Sequence, residues 1–301
     1  MKRKISGVLL LDKPIGPSSN EVLQKVKRLF RAQKAGHTGS LDPGASGMLP
    51  ICFGEATKFS QFLLESNKRY LVIGKLGETT ASGDGETPVI ATRNVGEFTL
   101  KRVEEVLNKF RGKIKQIPPM YSALKHQGQP LYKLARQGIE IAREPREVHI
   151  FDLRLLGLRD NLLHLDILCS KGTYVRALVM DIGEALGCGA HVVALRRSAL
   201  DSYVEEQMVP LERLEQLSQA KQIGELDRLL LPIESMVADL PAISLTTDML
   251  HYASCGSPIL VPRTTTVGLV RVYQRDGGFR GIGEILSDGR MVPRGILNQR
   301  T

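Results

Sequence analysis

Within the run Gly36-His37-Thr38-Gly39-Ser40-Leu41-Asp42-Pro43-Gly44-Ala45-Ser46-Gly47-Met48-Leu49-Pro50, a single carboxylate, Asp42, stands ahead of a proline among four glycines. A residue before proline is pushed to extended backbone, and glycines let a ligand approach the main chain closely, so the side chain of Asp42 is expected at the surface of a shaped loop. An Asp-Pro pair serves by default as an Asx-turn or cap. Here no second acidic residue is expected nearby to share a proton, and a lone carboxylate suits a nucleophile better than the paired acid and base of a hydrolase. His37 reads as a base, a hydrogen-bond donor or a plain turn residue. In Ser170-Lys171-Gly172-Thr173-Tyr174-Val175-Arg176, the arginine falls in the first turn of an expected helix. The helix dipole disfavours a cation there, so its fork is better explained by a carboxylate or phosphate partner.

Competing chemistries find little support. Ser122-Ala123-Leu124-Lys125 matches S-x-x-K, but neither S-D-N nor K-T-G accompanies it. Gly281 and Gly283 lack the third glycine of a dinucleotide fingerprint, and no Walker A sequence occurs. Cys52, Cys169, Cys188 and Cys255 are scattered, with no C-x-x-C pair and no histidine at metal-ligand spacing, so they are expected reduced. No metal, nucleotide or flavin cofactor is expected.

The elements that must position these residues follow from periodicity. Gly7–Leu11 reads as a buried strand leaving into the turn Asp12-Lys13-Pro14, and Ser18 with Glu21 forms a capping box ahead of Val22, Leu23, Val26, Leu29 and Phe30, with Gly36 as the helix stop. The opposite face of that helix carries Lys25, Lys27, Arg28, Arg31 and Lys34. Residues 36–50 are expected as loop throughout. A strand is expected over 71–76, a loop over 77–88, and a helix capped by Thr99 and ended by Gly112. Leu163, Leu165, Ile167 and Cys169 alternate as a strand, and a helix begins near Tyr174 and stops at Gly187. Helical segments are expected from there to about residue 238. Beyond it the Asp276-Gly277-Gly278 and Ser287-Asp288-Gly289 turns separate three short strands.

The chain has 301 residues, 42% hydrophobic and 24% charged, enough for a sizeable core in about two domains and unlike a disordered tail. The N-terminal apolar run is too short for a signal peptide, and no apolar stretch would span a membrane, so a cytoplasmic soluble protein is expected. Forty-one Lys and Arg against 32 Asp and Glu leave a net charge of +9, which raises the prior for a polyanionic partner. Much of the excess lies in residues 101–147, with eleven basic and five acidic residues. With no Trp, eight Phe and seven Tyr, any base stacking has to rest on one or two tyrosines.

These residues together resemble the bacterial tRNA pseudouridine(55) synthases of the TruB family. The resemblance rests on Gly7–Pro14, the Gly36–Pro43 block, Gly47-Met48-Leu49-Pro50, Lys68-Arg69-Tyr70, Met120–Lys125, Ser170–Arg176 and Gly187-Cys188-Gly189-Ala190-His191, spaced as in the family. It implies that Asp42 is the nucleophile, that Arg176 pairs with it, and that Tyr70 stacks on a flipped uracil. It further implies substrate contacts from His37, Tyr174, Leu195, Lys13, Lys68, Arg69 and Lys125. The chain departs from the family's frequent T-D-T-x-D run at Thr80-Ala81-Ser82-Gly83-Asp84.

The fold implied is α+β: a mixed, largely antiparallel central sheet flanked by helices over residues 1–238, then a small PUA-like β domain over 239–301. The basic segment 113–147 resembles a mobile loop that closes on the T-arm of tRNA. The reaction implied is the isomerisation of uridine 55 by base flipping, without cofactor or membrane, in a protein expected to be a monomer. Two rival readings are a non-catalytic RNA-binding or assembly protein on the same fold, and a synthase for another RNA site.

Overall fold

The computed structural model describes residues 2–297 apart from 263 and 276. β1 (Gly7–Lys13) is apolar on both faces because both are covered: Leu9 and Leu11 enter one core, Val8 and Leu10 a second. α1 (Ser19–Leu29) starts at the expected box, with the Glu21 amide donating to the Ser18 hydroxyl and the Ser18 amide donating to the Glu21 carboxylate. It stops before Gly36, because Arg31 takes the left-handed conformation at φ 52°, and the chain re-enters the sheet as β2 (Ala35–His37).

Next come β3 (Ala45–Phe53), α2 (Ser60–Glu65), β4 (Lys68–Leu76), the hairpin of β5 (Glu78–Thr80) and β6 (Val89–Thr92), α3 (Leu100–Leu107) and β7 (Gly112–Gln116). A small excursion holds β8 (Lys125–His126), β9 (Gln129–Pro130) and α4 (Leu131–Ala135), before the long hairpin of β10 (Arg146–Arg159) and β11 (Leu162–Cys169). α5 (Val175–Leu186) ends as expected at Gly187, whose φ of 90° suits glycine. β12 (Ala190–Leu200), β13 (Val209–Pro210), α6 (Leu211–Gln219) and α7 (Ile223–Arg228) complete this part.

The large sheet runs β13-β1-β3-β12-β4-β11-β10-β7, with β2 added beside β3. Its pairs are antiparallel except β1 with β13 and β3 with β12. On one face α1, α3, α5 and α6 bring Val26, Val106, Val179 and Leu214 into the main core.

Two expectations fail here. Residues 45–53 are a central strand and not loop. Gly47, at φ 99°, lies so close to β12 that an added Cβ would meet the Arg197 carbonyl oxygen at 2.3 Å. Pro50 costs no ladder bond, because β12 pairs with residues 45–47 and β2 with residues 51–53, leaving a gap opposite its nitrogen. Residues 190–200, expected as helix, are also a central strand. Two register shifts, at Val192/Ala194 and Arg197/Ala199, break its alternation, which hides the strand period from the sequence.

After residue 238 the chain forms β14 (Ala242–Leu245), α8 (Thr247–Ser254), β15 (Ile259–Leu260), β16 (Gly268–Gln274), β17 (Phe279–Ile285) and β18 (Arg290–Ile296). The three last strands match expectation, while β14, β15 and α8 were not foreseen; Asp276 of the first expected turn lies outside the described residues. The order is β14-β16-β17-β18-β15, with a core of its own around Leu250, Val270, Val272 and Met291. This sheet is not free of the first: Ile282 is buried with Val8, Leu10, Met48 and Phe59. Among the described residues no helix is long and apolar enough to cross a membrane.

Candidate active site

The loop between β2 and β3 is held from beneath by side chains of three other elements. From β1, Lys13 is wholly buried and its ammonium donates to the carbonyls of Ala45 (2.8 Å), Pro14 (2.9 Å) and, at longer range, Pro43 (3.5 Å). Burial lowers its pKa to about 8, against the opposing pull of Asp42. All three of its donors are committed to backbone, so Lys13 shapes the loop and does not reach a substrate, contrary to expectation. From α1, the Ser19 hydroxyl accepts the Leu41 amide at 2.8 Å and donates to the Leu41 carbonyl at 2.9 Å. From β12, Arg197 is 1% exposed and donates to the carbonyls of Met48 (2.6 Å) and Gly39 (2.9 Å). Leu41 itself is anchored in the main core, and the next residue, Asp42, presents a side chain that is 42% exposed.

Arg176, in the first turn of α5, fans out over three segments. Its Nε lies 2.9 Å from Asp42 Oδ2, Nη1 donates to the Ser82 carbonyl at 2.6 Å, and Nη2 donates to the Tyr121 carbonyl at 2.7 Å. A second carboxylate, Asp84, stands 3.5 Å from Nη1. The expectation of a lone carboxylate therefore held for the 36–50 segment but fails in space: the turn after β5 delivers Asp84 to the other side of the same guanidinium. Ser82 Oγ and the Glu86 amide both donate to Asp84 Oδ1 and fix it there. The crowded wall around Asp42 raises its pKa above the ordinary carboxylate range; Arg176 pulls it back and Asp84 adds to the rise.

Around the Asp42–Arg176 pair opens a cavity of about 360 Å³, lined also by Lys68, Tyr70, Ser122, Tyr174, Leu195 and Arg197. Tyr70 faces it from β4 and is 9% exposed; burial raises the pKa of its phenol. Tyr174 caps α5 and is clasped by the Gln116 amide, which accepts the Tyr174 N–H at 2.7 Å and donates to its carbonyl at 3.0 Å. Leu195 comes from β12, level with Val72 and Ala45. A second recess of about 260 Å³ shares Asp42, Arg176 and Leu195, and adds Ile15, Asp84, Glu86 and Val193.

Four expected contacts lie elsewhere or are otherwise engaged. Lys68 borders the cavity, but its ammonium donates to the carbonyls of Leu64 (2.8 Å) and Ser66, and burial lowers its pKa to about 8. Arg69 points to the opposite face of the sheet, where Nε donates to Asp166 at 2.7 Å; strand alternation separates it from Tyr70. Lys125 is exposed on the excursion hairpin and does not line the cavity. His37, on β2, is also outside the lining; its Nδ1 is buried with no hydrogen-bond partner, and burial holds its pKa below the usual histidine value.

Sequence reasoning missed Arg197, Asp84 and Gln116. Arg197 had a signal, a second arginine within an otherwise apolar stretch. Gln116 had none, since a glutamine on an edge strand resembles any solvated residue. Among the described residues no group of three or more His, Cys, Asp or Glu could hold a metal ion.

Family models match in succession along the chain: TruB family pseudouridylate synthase (N terminal domain) over residues 27–175, tRNA pseudouridylate synthase B C-terminal domain over 176–238, and Pseudouridine synthase II TruB, C-terminal over 241–297. The chain is 56% identical over 299 residues to the tRNA pseudouridine synthase B of Coxiella burnetii (strain RSA 493 / Nine Mile phase I), covering 99% of this chain and 97% of the relative. It is 51% identical over 302 residues to that of Yersinia pestis (strain Pestoides F), covering 98% and 93%. Among solved structures, a chain of a Cbf5-Nop10-Gar1 complex superposes with a TM-score of 0.75 at 25% identity, over 97% of this chain and 84% of that one. The match thus extends from the motifs around Asp42 through the last strand of the C-terminal sheet, and the chain belongs to the TruB family of pseudouridylate synthases.

Proposed function

We propose that this protein converts uridine 55 in the T-arm of tRNA to pseudouridine, with Asp42 as the nucleophile. The observation that carries the reading is a partly exposed carboxylate ion-paired to a buried arginine at 2.9 Å, opening on a cavity lined by two tyrosines. The relatives named above support the tRNA substrate.

A stacked uridine hides both C1′ and C5, so the nucleotide has to leave the helix before any bond can change. Tyr70 supplies an aromatic face for the flipped ring, with Tyr174 and Leu195 beside it. Asp42 attacks, the C1′–N1 bond breaks, the uracil turns, and a C1′–C5 bond forms; the C5 proton is lost and N1 gains one, so substrate and product are isomers. Arg176 holds Asp42 ionised and aimed through the sequence. Asp84, repelling Asp42 across the shared guanidinium, keeps the nucleophile more basic than a carboxylate that has the arginine to itself.

Binding is spread more widely than chemistry. The basic face of α1, the 113–147 excursion and the arginines of the C-terminal sheet supply phosphate contacts. On this reading residues 1–238 form the catalytic domain and 239–301 an RNA-binding domain that leans on it through Ile282.

The test is Asp42→Asn on a T-arm transcript with site-resolved pseudouridine mapping. Loss of on the order of 10³-fold or more in rate is expected, with RNA affinity nearly unchanged, as for other nucleophile deletions. Surviving activity in the variant, or wild-type modification centred outside the T-loop, overturns the assignment.

A further inference from the structure

We propose that the Ser122 hydroxyl recognises the polar edge of the flipped uracil, an inference that rests on the function proposed above. Among the described residues four buried side-chain polar atoms have no hydrogen-bond partner: His37 Nδ1, Thr38 Oγ1, Ser122 Oγ and Arg143 Nε. Of these four residues, Ser122 alone lines the cavity that holds Asp42 and Tyr70. It is 5% exposed, so water does not satisfy it freely. A buried hydroxyl without a partner weakens a fold, and such groups concentrate where a ligand completes them.

Its surroundings fix where the hydroxyl sits. The Ser122 amide donates to the Met120 carbonyl at 2.9 Å, and the Ser122 carbonyl accepts the Tyr132 amide at 3.1 Å. The preceding carbonyl, Tyr121, is held at 2.7 Å by the same guanidinium that pairs with Asp42. One arginine therefore sets the spacing between nucleophile and hydroxyl, and the torsion of the hydroxyl remains free to suit a ligand.

The chemistry of the ligand follows from what else faces the cavity. A hydroxyl both donates and accepts, which fits a neutral ring carbonyl or N–H. A phosphate would draw on cations, and those at this cavity are engaged with protein acceptors: Arg176 with Asp42, Ser82 and Tyr121, Arg197 with Met48 and Gly39, Lys68 with backbone carbonyls. The Tyr174 ring lies beside Ser122 and leaves a flat slot for a planar base. Sequence alone offered Ser122 only as part of an unmatched S-x-x-K pattern.

The experiment compares wild type, Ser122→Ala and Asp42→Asn on T-arm stem-loops carrying uridine, 2-thiouridine or 4-thiouridine at the target. For Ser122→Ala on uridine, the single-turnover rate at saturating RNA falls about 3- to 10-fold, the loss of one net hydrogen bond. RNA affinity stays within about two-fold and the melting temperature is unchanged or higher, because an unpaired buried hydroxyl has gone. Sulfur accepts hydrogen bonds poorly, so one of the two thio substrates slows wild type while leaving Ser122→Ala no slower than on uridine. A wild-type rate in Ser122→Ala, a melting temperature that falls in step with the rate, or thio penalties equal in both proteins overturns the inference. Wild-type conversion of uridine together with an inactive Asp42→Asn belongs to the proposed function, and its failure overturns both.

Discussion

The wall of the cavity that carries Asp42 rests on buried groups from β1, α1 and β12, whereas the facing wall that carries Ser122 rests on three buried apolar side chains, Met120, Leu131 and Leu134. Under the first wall, Lys13, Ser19 and Arg197 between them hold five loop or strand carbonyls and one amide. The second is tied to the body by the Arg176 contact to Tyr121, with Gln116 gripping Tyr174 at its root. A nucleophile gains from a site whose geometry is settled before the substrate arrives. A segment that has to admit a folded RNA gains from a low cost of local opening. The difference between the walls is the division of these two demands.

Arg197→Met is the most damaging test of the rigid wall. It keeps the bulk but strips the donors from two buried carbonyls, each costing about 1–3 kcal/mol when left unpaired. A fall of several degrees in melting temperature is expected, since each kcal/mol is worth roughly 2–4 °C in a chain somewhat smaller than this one. Turnover falls with it, because the loop that aims Asp42 relaxes. Normal stability and turnover would mean that Lys13 and Ser19 hold the loop alone.

Leu131→Ala tests the other wall by the same logic. Removing a buried leucine commonly costs about 2–5 kcal/mol, but here the loss is confined to a cluster that opens locally. KM for the T-arm rises and amide exchange over 119–135 quickens, while the main thermal transition stays where it was. A main transition that drops as it does for Arg197→Met would show that both walls belong to one cooperative unit.

How much of this was legible beforehand divides along the same line. The capping box at Ser18, the strand of β11 and the Gly187 stop were written in local periodicity and turn chemistry, and the structure has them. Asp42 and Arg176 were visible as residues out of place, a carboxylate in a glycine-rich loop and a cation at a helix start. β3 and β12 were hidden because a glycine forced by a neighbouring strand and a register shift each erase the period that marks a strand. Asp84 was hidden for a different reason: its partner Arg176 is 92 residues away, and only the fold brings them together. Lys13 and Lys68 were misjudged because a lysine in a motif looks like a ligand contact, whereas burial turned both toward backbone carbonyls.

Asp84→Asn sharpens the comparison within the rigid wall by changing charge with little change in shape. Asp42 has to be ionised to attack, so the rate rises with pH through its pKa, which burial and Asp84 both raise. Removing the Asp84 charge lowers that pKa, and the acid limb of the pH–rate profile moves to lower pH. The plateau rate falls as well, since a less basic carboxylate is a weaker nucleophile. An acid limb that stays in place, or moves to higher pH, would mean that Asp84 acts on Arg176 alone.

The smallest effect is expected at Arg69, next in sequence to Tyr70 and on the other side of the sheet. Its guanidinium binds Asp166 at 2.7 Å and is about one-third exposed, and such ion pairs contribute about 0–1 kcal/mol. Arg69→Gln keeps a hydrogen-bonding side chain there, so kcat and KM for the T-arm should stay within about two-fold and the melting temperature within a degree or two. Tyr70→Leu, one residue on, loses a base stack of about 1–3 kcal/mol and slows turnover far more than it weakens binding, which many phosphate contacts share. The contrast between adjacent residues isolates the face of β4 that the RNA meets. A ten-fold loss at Arg69 would place RNA on the opposite face, and then neither wall of the Asp42 cavity would be where the substrate is first held.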